Sequence, residues 1–270
     1  MPTLTMAVAT SLGNAVTDQA FQTALINASG GTITAVNVLP PDSSGVLADK
    51  IATGTLTPVP DIFMPVSDVD QYPMNTVNGA NVVVSSTPVL RNNLVLIKNR
   101  AAGLPTPIIS FQQVDLAHTV TPGLVRIYIA NPDSPYNVPA GVYARLAFQY
   151  FGSAVWNWIA NNTGNNVTLS TMATVTAVLT AVTNSNVPAI GAVYATDAVS
   201  SLVTSPSVQN PVEIIAIAPA PVNIKVIYPA VKIANSANPN GATAFVNFMQ
   251  TSVAMTTFLK WGFIPYSPIP

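Results

Sequence analysis

The sequence predicts an α/β fold built on a parallel sheet wrapped by helices. Three observations carry this expectation. The first 64 residues alternate short apolar strands with helical periodicity in the order β-α-β-α-β. Polar residues that suit helix starts fall at the strand-to-helix loops. Hydrophobic residues make up 49% of the chain but form no uninterrupted run of about 20 residues, so the positive mean hydropathy of +0.44 does not describe a membrane span. At 270 residues the chain is long enough to bury a large core in one or two domains.

Taken in order, Leu4 to Ala9 is an apolar run of strand length. Leu12, Ala15, Val16, Ala20 and Leu25 then repeat at helical spacing, with Ser11 where an N-cap belongs. Gly30-Gly31 breaks the chain, and Thr32 to Val38 (TITAVNV) alternates as a strand. Val46 to Ala52 reads as a short helix capped by Ser43 or Ser44, and Ile62 to Met64 as the third strand. Leu94 to Lys98, Val125 to Ala130, Ile190 to Tyr194 and Val212 to Ala218 are further strands, with a helix expected near Gln112. Ile224 to Ala234 is a long strand, long enough to span two lobes. Helices are expected over Ser170 to Val182, from Thr196-Asp197-Ala198 onward, over Gly241 to Met249 and over Ser252 to Lys260.

The stretch Asn137 to Gly152 (NVPAGVYARLAFQYFG) combines a loop with a helix from Val142 to Phe151. Its apolar face is expected at Val142, Leu146, Ala147 and Tyr150, and Ala140 and Gly141 leave room for an approach to the first turn. The first amides of a helix have no partner within it, and they carry the positive end of the helix dipole. A small-residue helix start can therefore receive an anion.

Composition excludes several classes. Only 7% of residues are charged, against about 25% in an ordinary soluble domain, with Asn, Thr and Ser in place of the usual Lys and Glu. A net charge of -1 gives no electrostatic footprint for nucleic acid. Cysteine is absent, which removes disulfides, thiol catalysis and thiolate metal sites. The one histidine, His118, has no second His or Cys beside it and reads as a surface or loop residue. Asp68 and Asp70 lack further ligands for a cation, while Asp18 and Asp49 are expected on outward helix faces. No phosphate loop, nucleophile elbow or metal motif is present, so the chain is expected not to be an enzyme. No leader is visible in Met1-Pro2-Thr3, which suits a cytoplasmic chain or a mature secreted form.

Six stretches together resemble the periplasmic molybdate-binding proteins of ABC importers, the type II solute-binding proteins. Ala9 to Ala15 (ATSLGNA) is similar to the family's AASLTNA, and Ser44 to Ile51 (SGVLADKI) to its second Ser-bearing loop and helix. Asp61-Ile62-Phe63 resembles its DLF strand, and Asn137 to Tyr143 (NVPAGVY) its VPAG-Y helix start. Ile190 to Ala198 (IGAVYATDA) is close to its GIVYxTDA, and Tyr228-Pro229 with Phe245 to Phe263 to its returning strand and closing helices.

The resemblance implies two α/β lobes, each a mixed sheet flanked by helices, hinged by two crossing strands with an oxyanion held in the cleft. The first lobe would comprise residues 1–90 plus 226–270, and the second residues 91–225. The ligand residues it implies are Ser11 and Ser44 through hydroxyl and amide, Ala140 and Val175 through amides, and Tyr194 through its phenol. It implies molybdate or tungstate as ligand, no cofactor, no metal beyond the oxyanion, an inner-membrane ABC permease as partner, a periplasmic or extracytoplasmic location and a monomer. Neutral dipoles would hold the dianion, so scarce Arg and Lys cost such a site nothing. The loop Asn131 to Asn137 is longer than the family's, and Gly45 replaces a common Ser or Thr. Two alternatives stay open: sulfate or another small anion on the same scaffold, or a structural or interaction protein that lost its ligand.

Overall fold

A computed structural model describes residues 1–67, 82–101, 103–104, 107–114, 125–133, 138–152, 156–157, 167–204 and 210–266. The chain divides into two units, Met1–Arg91 with Ile227–Pro270, and Asn92–Val226. It leaves the first unit between Arg91 and Asn92 and returns between Val226 and Ile227.

The first unit begins with β1 (Thr3–Val8), a 3-10 turn (Thr10–Leu12), α1 (Gly13–Thr17) and α2 (Gln19–Ala28). Next come β2 (Ala35–Val38), α3 (Ser44–Ala52), β3 (Ile62–Met64) and β4 (Val83–Arg91). The second unit contains β5 (Leu94–Asn99), β6 (Val125–Ala130), α4 (Pro139–Tyr150), β7 (Val167–Met172) and α5 (Val175–Thr183). It continues with β8 (Ala189–Tyr194), α6 (Ala195–Thr204), β9 (Val212–Ile217) and α7 (Ala220–Asn223). The returning segment adds β10 (Ile227–Ile233), α8 (Pro239–Phe248), α9 (Ser252–Lys260) and β11 (Ile264–Pro265) to the first unit.

Both sheets are mixed. The first has the order β11-β4-β10-β3-β1-β2, with β1 parallel to β2 and β3, and β10 antiparallel to β3 and β4. Buried residues on every position of β1 after Thr3 fit a strand covered on both faces. Phe21 on α2 meets Phe245 and Phe248 of α8 and Phe258 of α9, with ring centroids 5.2–6.5 Å apart, so the closing helices pack against the opening ones. Asp61 is fully buried and accepts from the amides of Thr5 (2.7 Å) and Asn238 (2.6 Å), tying the returning chain to β1. The Asn238 side chain caps α8 through Gly241 N–H and donates to the Thr32 carbonyl.

The second sheet has the order β7-β6-β8-β5-β9, with β6 parallel to β7 and β8, and β5 antiparallel to β8 and β9. Helix α5 lies so close to β8 that a Cβ at Gly191 would come within 2.9 Å of methyls from Val178 and Val182. Only glycine admits that approach.

Several elements differ from the expectation. The helix expected from Leu12 to Leu25 breaks at Asp18, whose extended backbone lets its carboxylate cap α2 through Ala20 and Phe21. An Asp side chain competes for backbone amides and so favours a helix start over a helix interior. Asp18 is therefore not outward and solvated: its side chain is 10% exposed and pairs with Lys260 at 2.9 Å. Residues 170–172, the first three of the helix expected from Ser170 to Val182, belong instead to β7, which pairs with β6 over 167–172, and Thr174 caps a helix that begins only at Val175. Ile224 closes α7 rather than opening a strand, and β10 begins at Ile227. The sequence pattern does not predict strand β4: Ser85, Ser86, Thr87 and Pro88 interrupt its apolar residues, and Pro88 faces Pro229 at a shift in register.

Candidate functional site

In the first unit β1, β2 and β3 run parallel, so the segments that leave their C-terminal ends share one edge. That edge is where open α/β sheets present ligand groups. Ser11 lies in the 3-10 turn after β1 and makes no capping bond; its Oγ is 3.0 Å from Tyr228 Oη. Ser44, after β2, is only 1% exposed, and its Oγ accepts the Val66 amide from the end of β3 at 2.9 Å. Capping of α3 falls to Ser43 through Val46 N–H, so neither Ser11 nor Ser44 is the side-chain cap that their position suggests. Next to Val66, Ser67 takes a left-handed backbone (φ 78) and donates its amide to the Ile227 carbonyl at 2.8 Å. A chain of contacts thus runs from Ser44 through Val66-Ser67 and Ile227-Tyr228 to Ser11.

The chemistry of Ser44 follows from that contact. A backbone N–H can only donate, so Oγ acts as acceptor toward Val66 and the hydroxyl proton is left to be given elsewhere.

In the second unit β6, β7 and β8 are parallel in the same way, and Ala140, Val175 and Tyr194 all follow or end them. Helix α4 starts at Pro139, three residues before the expected Val142, so Ala140 carries its first amide, one of those that have no partner within the helix itself. The space at Gly141 is not open: a Cβ there would collide with the Ala130 carbonyl and the Pro132 nitrogen. The buried face of α4 runs through Ala140, Gly141, Tyr143, Ala144, Ala147 and Phe148, while Tyr150 is 54% exposed, so the stripe expected at 142, 146, 147 and 150 is rotated. Val175 is the first residue of α5, with Thr174 Oγ1 accepting from Ala177 N–H at 3.1 Å. Tyr194, 2% exposed, ends β8. Asp197 lies in the first turn of α6; burial pushes its carboxyl up to about 7, against a smaller opposing effect from the Tyr194 amide.

His118, Asp68, Asp70, Tyr136 and Asn137 lie outside the described residues. Among the described residues no group of three or more His, Cys, Asp or Glu could hold a metal ion, and no helix is long and apolar enough to cross a membrane. Sequence reasoning missed Val66 and Tyr228, whose roles depend on partners 22 and 217 positions away.

A profile described as bacterial extracellular solute-binding protein matches residues 4–264. The chain belongs to that family. Solved structures share the fold of this solute-binding protein. It is similar to the periplasmic molybdate-binding protein of Azotobacter vinelandii (17% identity, TM-score 0.66, covering 97% of this chain and 98% of that one). It is similar also to a tungstate-binding protein from Desulfovibrio alaskensis (12% identity, TM-score 0.63, 99% and 100%). A third is the sulfate-binding protein of Mycobacterium tuberculosis (16% identity, TM-score 0.58, 99% and 88%). Comparison with curated proteins returns no match. The family binds solutes and is not one of enzymes.

Proposed function

We propose that this solute-binding protein captures molybdate or tungstate outside the cytoplasm and delivers it to an inner-membrane ABC permease, acting as a monomer without a cofactor. The observation that carries the reading is the Ser44 hydroxyl, whose oxygen is occupied by Val66 N–H and whose proton remains for a ligand. A group so arranged suits an anion that offers only acceptors. Ser11 on the same edge is a second neutral donor of the first unit; within the second unit the Ala140 and Val175 amides and the Tyr194 phenol are neutral donors of the same kind. Charge-assisted bonds of this kind are stronger than neutral ones, so a dianion can be held without a cationic side chain. Similarity to molybdate- and tungstate-binding structures supports the same ligand class.

The test is a thermal melt with molybdate, tungstate or sulfate. A ligand at about 100 times its dissociation constant adds roughly 2.7 kcal/mol of stability. Molybdate and tungstate should raise the melting temperature and sulfate far less. A larger response to sulfate would move the assignment to that anion. No response to any of the three would favour a scaffold that has lost its ligand.

A further inference from the structure

We infer that Tyr228 is a positioning residue that aims the Ser11 hydroxyl at the bound anion. Its phenol lies 3.0 Å from Ser11 Oγ, in a side chain that is fully buried. The ring is fixed edge-on against Phe263 (5.2 Å, 86°), which in turn packs edge-on against Phe258 of α9. The hydroxyl end is therefore held from behind by a rigid aromatic stack. Either oxygen of the pair can donate, and the two directions have opposite consequences for a ligand. If Ser11 donates to Tyr228, its only proton is spent and it meets the anion with lone pairs. If Tyr228 donates to Ser11, the serine oxygen is satisfied as an acceptor and its own proton is released toward the anion.

The second direction is the one already built at Ser44, where the donor is the Val66 amide and no reversal is open. The same strand end serves both serines. Ser67 N–H holds the Ile227 carbonyl, one residue from Tyr228, so the amide behind Ser44 and the phenol behind Ser11 are anchored on adjoining backbone. A donor placed behind a hydroxyl also polarises it and strengthens the bond it gives. The inference rests on the reading of Ser11 as a ligand donor and adds a residue that makes the donation possible.

The test is calorimetric titration with molybdate of the wild type, Ser11→Ala, Tyr228→Phe and the double variant, with unliganded melting temperatures recorded alongside. Phe keeps the ring and its packing, so Tyr228→Phe should melt close to the wild type yet bind roughly tenfold more weakly. In the Ser11→Ala background the same change should cost nothing further, because the hydroxyl it aims is gone. In a Ser44→Ala background its full loss should persist. Placing 4-aminophenylalanine at position 228 restores a donor on the same ring but a poor acceptor, and should retain affinity; this arm decides the matter even if Tyr228→Phe does not fold. Loss of binding with the amino analogue, or an effect of Tyr228→Phe that survives undiminished in Ser11→Ala, would overturn the inference alone. Wild-type protein that binds no molybdate, or Ser11→Ala that binds it normally, would overturn the site reading and this inference with it.

Discussion

Replacing Ser44 by Ala removes the acceptor that the Val66 amide uses inside the first unit, at a position only 1% exposed. That change should cost about 1–3 kcal/mol in a urea melt and weaken oxyanion binding as well. Ser43→Ala is the control. It removes the cap of α3, so it should cost about 1 kcal/mol and leave affinity unaltered. Asp197 makes a different kind of prediction. Burial raises its folded value to about 7 from an ordinary 3.8, so between these values the folded chain holds a proton that the unfolded chain has released. Stability from this group therefore falls as pH rises through that window. Asn cannot ionise, so the melting temperature of Asp197→Asn relative to wild type should climb steadily from about pH 4 to about pH 8. A difference that does not change with pH would place the proton elsewhere.

Helix α4 and helix α2 show how single residues govern whole elements. A Cβ at Gly141 would strike the carbonyl of Ala130, where β6 ends, so α4 is seated by backbone against backbone. Gly141→Ala should destabilise the protein by about 1–3 kcal/mol in chemical denaturation, through displacement of the helix rather than through loss of any bond. At the start of α2, burial alone would push the Asp18 carboxyl up, but Lys260 and the Phe21 and Ala20 amides together hold it below the ordinary range. A lowered carboxyl lends stability that is present above its unfolded value and lost as pH falls through the folded one. Asp18→Ala should cost about 1 kcal/mol near neutrality, with little added by an ion pair whose lysine is 55% exposed, and the deficit should shrink on acidification. Elements of this kind were legible in the sequence where a turn signal bounded an apolar run, as with Gly30-Gly31 before β2 or Thr196-Asp197 at α6. They were not legible where pairing decided the outcome. Val167, Thr168 and Thr171 suit a strand, but nothing local shows that β6 will take residues 167–172 and leave Val175 onward to a helix.

At the scale of the molecule, the mixed two-unit architecture was readable because short strands and helices recur in one order over the whole chain, matched by six motifs in sequence. The candidate donors were readable only as residue types at helix starts. Which oxygen accepts and which proton is left over depends on Val66 and Tyr228, brought in by the fold from far along the chain. The order of the first sheet has a consequence for how the protein is made. Strand β10 lies between β3 and β4, yet it is synthesised more than a hundred residues after them. Until Ile227–Ile233 leaves the ribosome, β3 and β4 each wait with an unpaired edge, open to pairing with another chain. The second unit has no such wait, since Asn92–Val226 contains all five of its strands without interruption. Contacts that are local in sequence close before those that are distant. Pulse-labelled hydrogen exchange during refolding should therefore find the amides of Leu94–Asn99 and Ala189–Tyr194 protected ahead of those of Ile227–Ile233. Holding factors that shield exposed strand edges would then act on the half-made first unit, and their work would end when β10 arrives.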